Sequence, residues 1–307
     1  MDGLTLATLG EEQLVSRLTD MLPQHSGLLT GPGDDCAVVR RTDDWDELLK
    51  TDVVVEKIHF LPEEQPERIG WKALARAVSD IAAMGGIPEY ALVTLLADKD
   101  QPFKKIQDIY QGLVTCAETY GVGLAGGETS SLPEQGLILN IALTGRVERG
   151  TAVLRSGARP GDHICVTGCL GGTLAGHHLD FLPRCREARF LHDGAFASSM
   201  MDLSDGLGKD LPRLCRASGV SCRIREQALP MRENCTSLQA LTDGEDYELL
   251  FTVSPDRISL LQQQWPVDFP QLSIIGEITT RENAKDAPSY PDGWDHFSPS
   301  SPKDFSR

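Results

Sequence analysis

The sequence predicts an α/β (α+β) protein of two domains, and three observations predict it. Apolar strand-like runs alternate with helical segments along most of the chain. A glycine- and arginine-rich stretch, Arg155-Ser156-Gly157-Ala158-Arg159-Pro160-Gly161-Asp162, interrupts that alternation near the middle. Acidic, glycine-flanked motifs recur at strand ends on both sides of it. At 307 residues the chain has ample length for a core in one large or two modest domains. The expected division is 1–150, 151–297 and a Ser/Pro-rich flexible tail over 298–307.

Taken in order, Glu11 to Leu22 reads as a short amphipathic helix with Leu14, Val15, Leu18 and Leu22 on one face. A loop through Gly31-Pro32-Gly33 leads into strand-like Cys36 to Val39, and Asp43 to Asp46 reads as an acidic turn. Leu48 to Phe60 is strand-like. Trp71 to Met84 is the clearest helix, because Trp71, Leu74, Ala75, Val78, Ile81 and Ala82 follow the 3.6-residue period. Gly85-Gly86 and Pro88 stop it. Tyr90 to Leu96 is a strand and Phe103 to Tyr120 a helix. Val122 to Ala125 is a short strand entering a double glycine, and Leu137 to Val147 another strand. Beyond the central break come strand His163 to Thr167, a helix from about Thr173, and strands at Met200 to Asp202 and Glu248 to Val253.

Composition excludes some functions. A formal net charge of -16 argues against nucleic acid or an anionic membrane as the main partner. No apolar stretch approaches the roughly 20 residues that span a bilayer. The start, Met1-Asp2-Gly3-Leu4-Thr5-Leu6, lacks the basic and apolar regions of a signal peptide, so a cytoplasmic location is expected. The eight cysteines include no Cys-x-x-Cys pair and suggest no zinc site; reduced, mostly buried thiols are expected.

The acidic motifs are Gly33-Asp34-Asp35, Thr51-Asp52, Ser79-Asp80, Gly126-Gly127-Glu128-Thr129, Asp202-Leu203-Ser204-Asp205-Gly206 and Gly244-Glu245-Asp246. Carboxylates gathered at strand ends repel one another unless cations lie between them. Hard divalent cations such as Mg²⁺ prefer oxygen ligands and bridge substrate phosphates. Each motif alone has a plainer explanation. Gly33-Asp34-Asp35 suits a turn. Asp80 falls on the polar helix face with Lys72 and Arg76, where a solvated charge is ordinary. Gly126-Gly127 suits a tight turn, and Ser204 or Asp205 suits a helix N-cap. No P-loop occurs.

Together, in order and wording, these motifs resemble the family of thiamine-monophosphate kinase, aminoimidazole ribonucleotide synthetase and selenophosphate synthetase, and within it the kinases. The matching stretches include Gly33-Asp34-Asp35-Cys36-Ala37, Thr51-Asp52 through His59-Phe60, and Lys72-Ala73-Leu74-Ala75 leading to Ser79-Asp80. They continue through Arg155-Ser156-Gly157-Ala158, Asp202 to Leu207, Gly244 to Leu249 and Gly293-Trp294-Asp295-His296-Phe297. The resemblance implies a two-domain fold like that of aminoimidazole ribonucleotide synthetase, with N-terminal domains paired in a homodimer. It implies transfer of phosphate from ATP to thiamine monophosphate. By position it implies Mg²⁺ binding by Asp35, Thr51, Asp52, Asp80, Glu128, Asp202 and Asp205. It implies ATP contacts from Gly127, Glu128, Arg155, Ser204 and Tyr110, and substrate contacts from His59, Glu245 and Trp294.

Three features depart from the family pattern. Glu128 stands where Asp is usual, Ala77 where Asn is frequent, and Gly168 to Met201 lacks the usual His-x-x-Pro-x-Pro-Arg. A selenophosphate synthetase would carry a reactive Cys or selenocysteine in a glycine-rich N-terminal segment, and the first Cys here is Cys36. A relative with a changed acceptor, a catalytically silent nucleotide-binding relative and a metal-dependent phosphatase stay open at this level.

Overall fold

The computed structural model describes residues 5–281 and 290–291. Two sheets organise them. The first contains β1 (Leu28–Thr30), β2 (Ala37–Arg40), β3 (Trp45–Val55), β4 (Ile87–Ala97), β5 (Gly123–Ser131) and β6 (Leu137–Glu148), in the order β1-β2-β3-β6-β4-β5. Only β4 and β5 run parallel; the other neighbours are antiparallel. Along β6 buried and half-buried residues alternate without a break, so Leu137, Leu139, Ile141 and Leu143 all enter the core. Helices α2 (Pro66–Ala83) and α3 (Phe103–Tyr120) cover that inner face.

The second sheet contains β7 (His163–Thr167), β8 (Ala197–Asp202), β9 (Ser221–Ile224), β10 (Leu249–Val253) and β11 (Leu272–Thr279). Its order is β8-β10-β7-β11-β9, antiparallel throughout. Helix α4 (His177–Asp180) packs on α2, while α5 (Cys185–Asp193), α6 (Leu207–Ser218), α7 (Ser237–Thr242) and α8 (Pro255–Gln264) surround the second sheet. All five residues of β10 are buried, the pattern of a strand covered on both faces. One face packs on α6 and α7, and the other on α5, α8 and the last turn of α2, where Ala82 and Ala83 join Phe251 and Met200.

That contact corrects the expectation for α2. The helix is wedged between the two sheets, so its polar residues Lys72, Ser79 and Asp80 are buried together with its apolar stripe. Periodicity identifies one core-facing stripe and is blind to a second layer closing over the other. Three further expectations change. The first helix, α1 (Leu6–Thr19), starts five residues before the expected Glu11 and buries no residue. Ion pairs tie it to α6 instead, from Glu11 to Lys209 and from Glu12 to Arg213 and Arg216. The double glycine is no turn: β5 runs straight through Gly126-Gly127 to Ser131. Near Thr173 the chain makes only a 3₁₀ turn and the four residues of α4.

All eight cysteines are free. No helix among the described residues is long and apolar enough to cross a membrane. The expected tail over 298–307 lies outside the described residues.

Candidate active site

β3 and α2 build the centre of the site from a simple repeat. Alternation along β3 points Lys50 and Asp52 to the same inner face, and one helical turn separates Arg76 from Asp80 on α2. The four charges cross-pair. Lys50 Nζ lies 2.8 Å from Oδ1 of Asp80, and Arg76 lies 3.2 Å from Oδ1 of Asp52. Arg76 also donates to the carbonyl of Val53 at 2.9 Å.

Asp80 is one of three buried carboxylates, with Asp35 and Asp202, whose oxygens all lie within 4.8 Å of one another. Asp35 follows the Gly31–Gly33 loop, and Asp202 ends β8, so three distant segments meet here. Arg155 grips Asp35 through Nε at 3.2 Å and a terminal nitrogen at 2.5 Å. Ser79 donates its hydroxyl to Asp202 at 2.6 Å. Asp34 accepts the backbone N–H of Arg155 at 3.2 Å through either oxygen.

The electrostatics are costly. Burial first, then the neighbouring Asp35, push the Asp202 carboxyl up to about 7. Burial raises Asp80 as well, against the pull of Lys50. Burial and the adjacent Asp35 lift Asp34 to about 6. Lys50 stays charged, since Asp80 and Asp52 outweigh the burial that disfavours its ammonium.

The residues fit a hard divalent cation. Their donors are carboxylate oxygens alone, and Oδ2 of Asp35 is buried without a hydrogen-bond partner among the described residues.

A cleft of about 680 Å³ opens beside this centre. Asp34, Lys50, Asp52, Arg76 and Arg155 line it, together with Ser204, Asp205, Glu245 and Tyr247. His59 lines it too, and its Nδ1 accepts the backbone N–H of Val55 at 3.1 Å. Glu245 arrives on a strained loop: Glu245 and Tyr247 hold φ of 54° and 51°, unusual for residues with side chains. Backbone bonds from Glu245 to the Ser204 carbonyl (2.7 Å) and from Tyr247 to the Leu203 carbonyl (2.8 Å) hold that loop on the end of β8. Tyr247 stacks on Phe181 with centroids 3.8 Å apart. Beneath, Lys72 donates to Oε2 of Glu245 at 2.6 Å, to the His59 carbonyl at 2.6 Å, and meets Nδ1 of His178 at 2.9 Å.

The structure thus gathers Asp52, Arg155, Ser204, Asp205, His59 and Glu245 around one cleft, with Asp35, Asp80 and Asp202 in the buried centre beside it. Neither Ser204 nor Asp205 caps α6. Gly206 holds that position, the side chain of Asp210 accepts both their backbone N–H groups, and Asp205 pairs with Arg213 at 2.6 Å and Lys209 at 3.1 Å. Those two cations outweigh burial and hold Asp205 below its ordinary range.

Thr51 and Glu128 lie elsewhere within the chain. The hydroxyl of Thr51 donates to Asn140 at 3.1 Å on the outer face of the first sheet. Glu128 belongs to the cross-sheet row Val53, Asn140, Thr94, Glu128 on that same side. Gly127, next to it, faces Val93 so closely that a Cβ would lie 1.7 Å from the Val93 carbonyl oxygen. Tyr110 lies on α3 in a separate surface hollow. Trp294 lies outside the described residues.

Sequence reasoning missed Lys50, Arg76 and Lys72 as parts of the site. The signal for Lys50 was present: a lone cation two residues before Asp52 within an apolar strand needs an anion opposite it.

Comparison with known proteins agrees with this architecture. Residues 33–147 match the family "AIR synthase related protein, N-terminal domain". The thiamine-monophosphate kinase of Bacillus subtilis (strain 168) is 33% identical, covering 90% of this chain and 94% of its own. That of Escherichia coli (strain K12) is 34% identical over 80% of this chain and 82% of its own. Among solved structures, AaThiL complexed with AMPPCP and TMP superposes with a TM-score of 0.84 at 30% identity, covering 96% of this chain and 100% of that one. The hydrogenase maturation protein HypE in complex with ATP shares the fold at 19% identity, with a TM-score of 0.66 over 86% of this chain and 82% of that one.

Proposed function

The chain belongs to the thiamine-monophosphate kinase family, and from that premise we propose that it transfers the γ-phosphate of ATP directly to thiamine monophosphate, giving thiamine diphosphate and ADP. The observation that carries this reading is the meeting of Asp35, Asp80 and Asp202 behind Lys50 and Arg155, which line the cleft that also presents Glu245 and His59. Phosphoryl transfer asks a protein for alignment and charge neutralisation more than for covalent chemistry. Mg²⁺ held by Asp35, Asp80 and Asp202, with Asp52 and Asp205 at the edge, would neutralise charge on the phosphates of ATP and of the acceptor.

The remaining work falls to side chains of the chain itself. Arg155 offers N–H groups to the triphosphate from a position fixed by Asp35. Glu245 offers an acceptor to the aminopyrimidine of thiamine, held by Lys72 from below. The attacking atom is already a phosphate oxygen, largely deprotonated at neutral pH, so no residue need act as a strong general base. The strained loop at Glu245 and Tyr247 is consistent with a pre-organised substrate contact.

The partner we propose is a second copy of the chain. The outer face of the first sheet leaves Tyr90 58% and Leu92 50% exposed, with Leu49 and Val53 beside them. Thr51, Gly127 and Glu128 lie on or beside that face, so a homodimer across it would bring to an ATP site residues that one chain keeps apart. We place the reaction in the cytoplasm and the domain division between β6 and β7.

The reading is tested by assaying thiamine diphosphate formation with wild type and Asp80→Asn. Product from wild type alone, with both proteins folded, is the expected result. Equal turnover by the variant would remove the carboxylate centre from the reaction.

A further inference from the structure

Three fixed cations stand among the carboxylates of the centre. Asp34, Asp35, Asp52, Asp80 and Asp202 surround it, and three cations already answer them. Arg155 holds Asp35, Lys50 holds Asp80, and Arg76 holds Asp52. That leaves Asp34 and Asp202 as the two of the five without an ion pair among the described residues, room for one divalent ion. The unused acceptor lies in the right place: Oδ2 of Asp35, buried and without a hydrogen bond among the described residues, belongs to the triad with Asp80 and Asp202.

Lys50 is placed as a metal ion would be. Its ammonium lies 2.8 Å from Asp80 of α2, and Lys50 shares β3 with Asp52, whose negative charge helps keep it protonated. A divalent ion bridging Asp52 and Asp80 would perform the same task of holding a strand carboxylate and a helix carboxylate together. Lys50 on Asp80 and Arg76 on Asp52 do so together with fixed charges and no dissociation. The cross-pairing fixes it there, because Arg76, one turn before Asp80, takes Asp52 and leaves Asp80 to Lys50.

We propose that Lys50 is a resident cation standing in for one divalent ion between Asp52 and Asp80, so that the nucleotide-free protein binds a single divalent ion, among Asp35, Asp80 and Asp202. The proposal deepens the kinase reading and rests on it for the identity of the centre. Its test needs neither nucleotide nor thiamine monophosphate, so the two can fail separately.

The experiment counts Mn²⁺ bound to the nucleotide-free full chain, from the electron paramagnetic resonance signal of the free ion. Wild type, Lys50→Met and the double variant Lys50→Met/Asp52→Asn are compared, with circular dichroism as the check on folding. The expected counts are one ion per chain for wild type, two for Lys50→Met, and one again for the double variant. Two or more ions on wild type, or equal counts for wild type and Lys50→Met, overturns the proposal. If Lys50→Met unfolds without metal, recovery of its fold by Mn²⁺ supports the replacement, and no recovery at saturating Mn²⁺ overturns it.

Discussion

Nζ of Lys72 lies 2.6 Å from Oε2 of Glu245, and both side chains are buried where α2 meets the strained loop before β10. The pair joins an element of the first sheet's layer to a loop of the second at the wall of the cleft. Removing one member of a buried pair strands the other charge, at a cost of about 3–5 kcal/mol. Lys72→Met is therefore expected to lower the urea midpoint sharply, and Lys72→Met/Glu245→Gln to recover most of the loss. A double variant no more stable than Lys72→Met would show that the pair is not the source of the effect.

Asp202 sets stability against function. Its carboxyl is raised to about 7, first by burial and then by Asp35, so its charged form is disfavoured in the fold. Asp202→Asn removes that charge and keeps an acceptor for Ser79. The variant is expected to be more stable than wild type at pH 8 without metal, to gain less stability from added Mg²⁺, and to lose about 100-fold or more in kcat. Thermal unfolding with and without Mg²⁺ measures the first two effects. Unchanged turnover, or a lower midpoint without metal, counts against the placement of Asp202 in the metal centre.

Asp246 gives a pH dependence away from that centre. It is buried, accepts from Gly171 N–H at 2.9 Å and Arg232 at 2.6 Å, and leaves Oδ2 without a partner among the described residues. Burial, against the pull of Arg232, raises its carboxyl to about 7 from an ordinary 3.8. The folded state thus holds this proton more tightly than the unfolded state. Its contribution to stability must fall as pH rises from about 4 to 7 and stay level above. Asp246→Asn lacks the titration, so its stability advantage over wild type should widen across that window, by at most about 4 kcal/mol. A gap that narrows with rising pH contradicts the assignment.

How much of this was legible from residues alone depended on which layer decided each feature. Helix α3 falls on its expected bounds, Phe103–Tyr120, and β7 on His163–Thr167, because local periodicity and flanking glycines decide both. The acidic motifs pointed to one centre through their wording as a set. Lys72 and Asp80 read as solvated charges because their burial comes from a second sheet closing on α2, a contact no local pattern encodes. Gly126-Gly127 read as a turn because glycine signals permissive backbone without saying what is nearby. Here the neighbour is the Val93 carbonyl, and β5 needs a residue without Cβ to pair with β4.

That close approach is testable. Gly127→Ala would place a methyl 1.7 Å from a backbone oxygen, so the strand pairing must shift. The variant is expected to lose about 1–3 kcal/mol or more of stability, and hydrogen exchange should quicken along β4 and β5. Unaltered protection in both strands would show that the edge accommodates the methyl.

The exposed outer face predicts an oligomeric state. Leu92→Asp places a charge in the middle of the apolar row, and sedimentation equilibrium is expected to show a dimer for wild type and a monomer for the variant. A wild-type monomer at micromolar concentration would leave Thr51 and Glu128 without a second chain to work with.

The most direct test of the central claim is a ³¹P NMR time course with purified protein, ATP, thiamine monophosphate and Mg²⁺. The account predicts that ADP and thiamine diphosphate appear one for one, that inorganic phosphate does not accumulate, and that EDTA or omission of ATP stops the reaction. Release of inorganic phosphate from thiamine monophosphate without ATP, or ATP bound and left intact beside thiamine monophosphate, would contradict it.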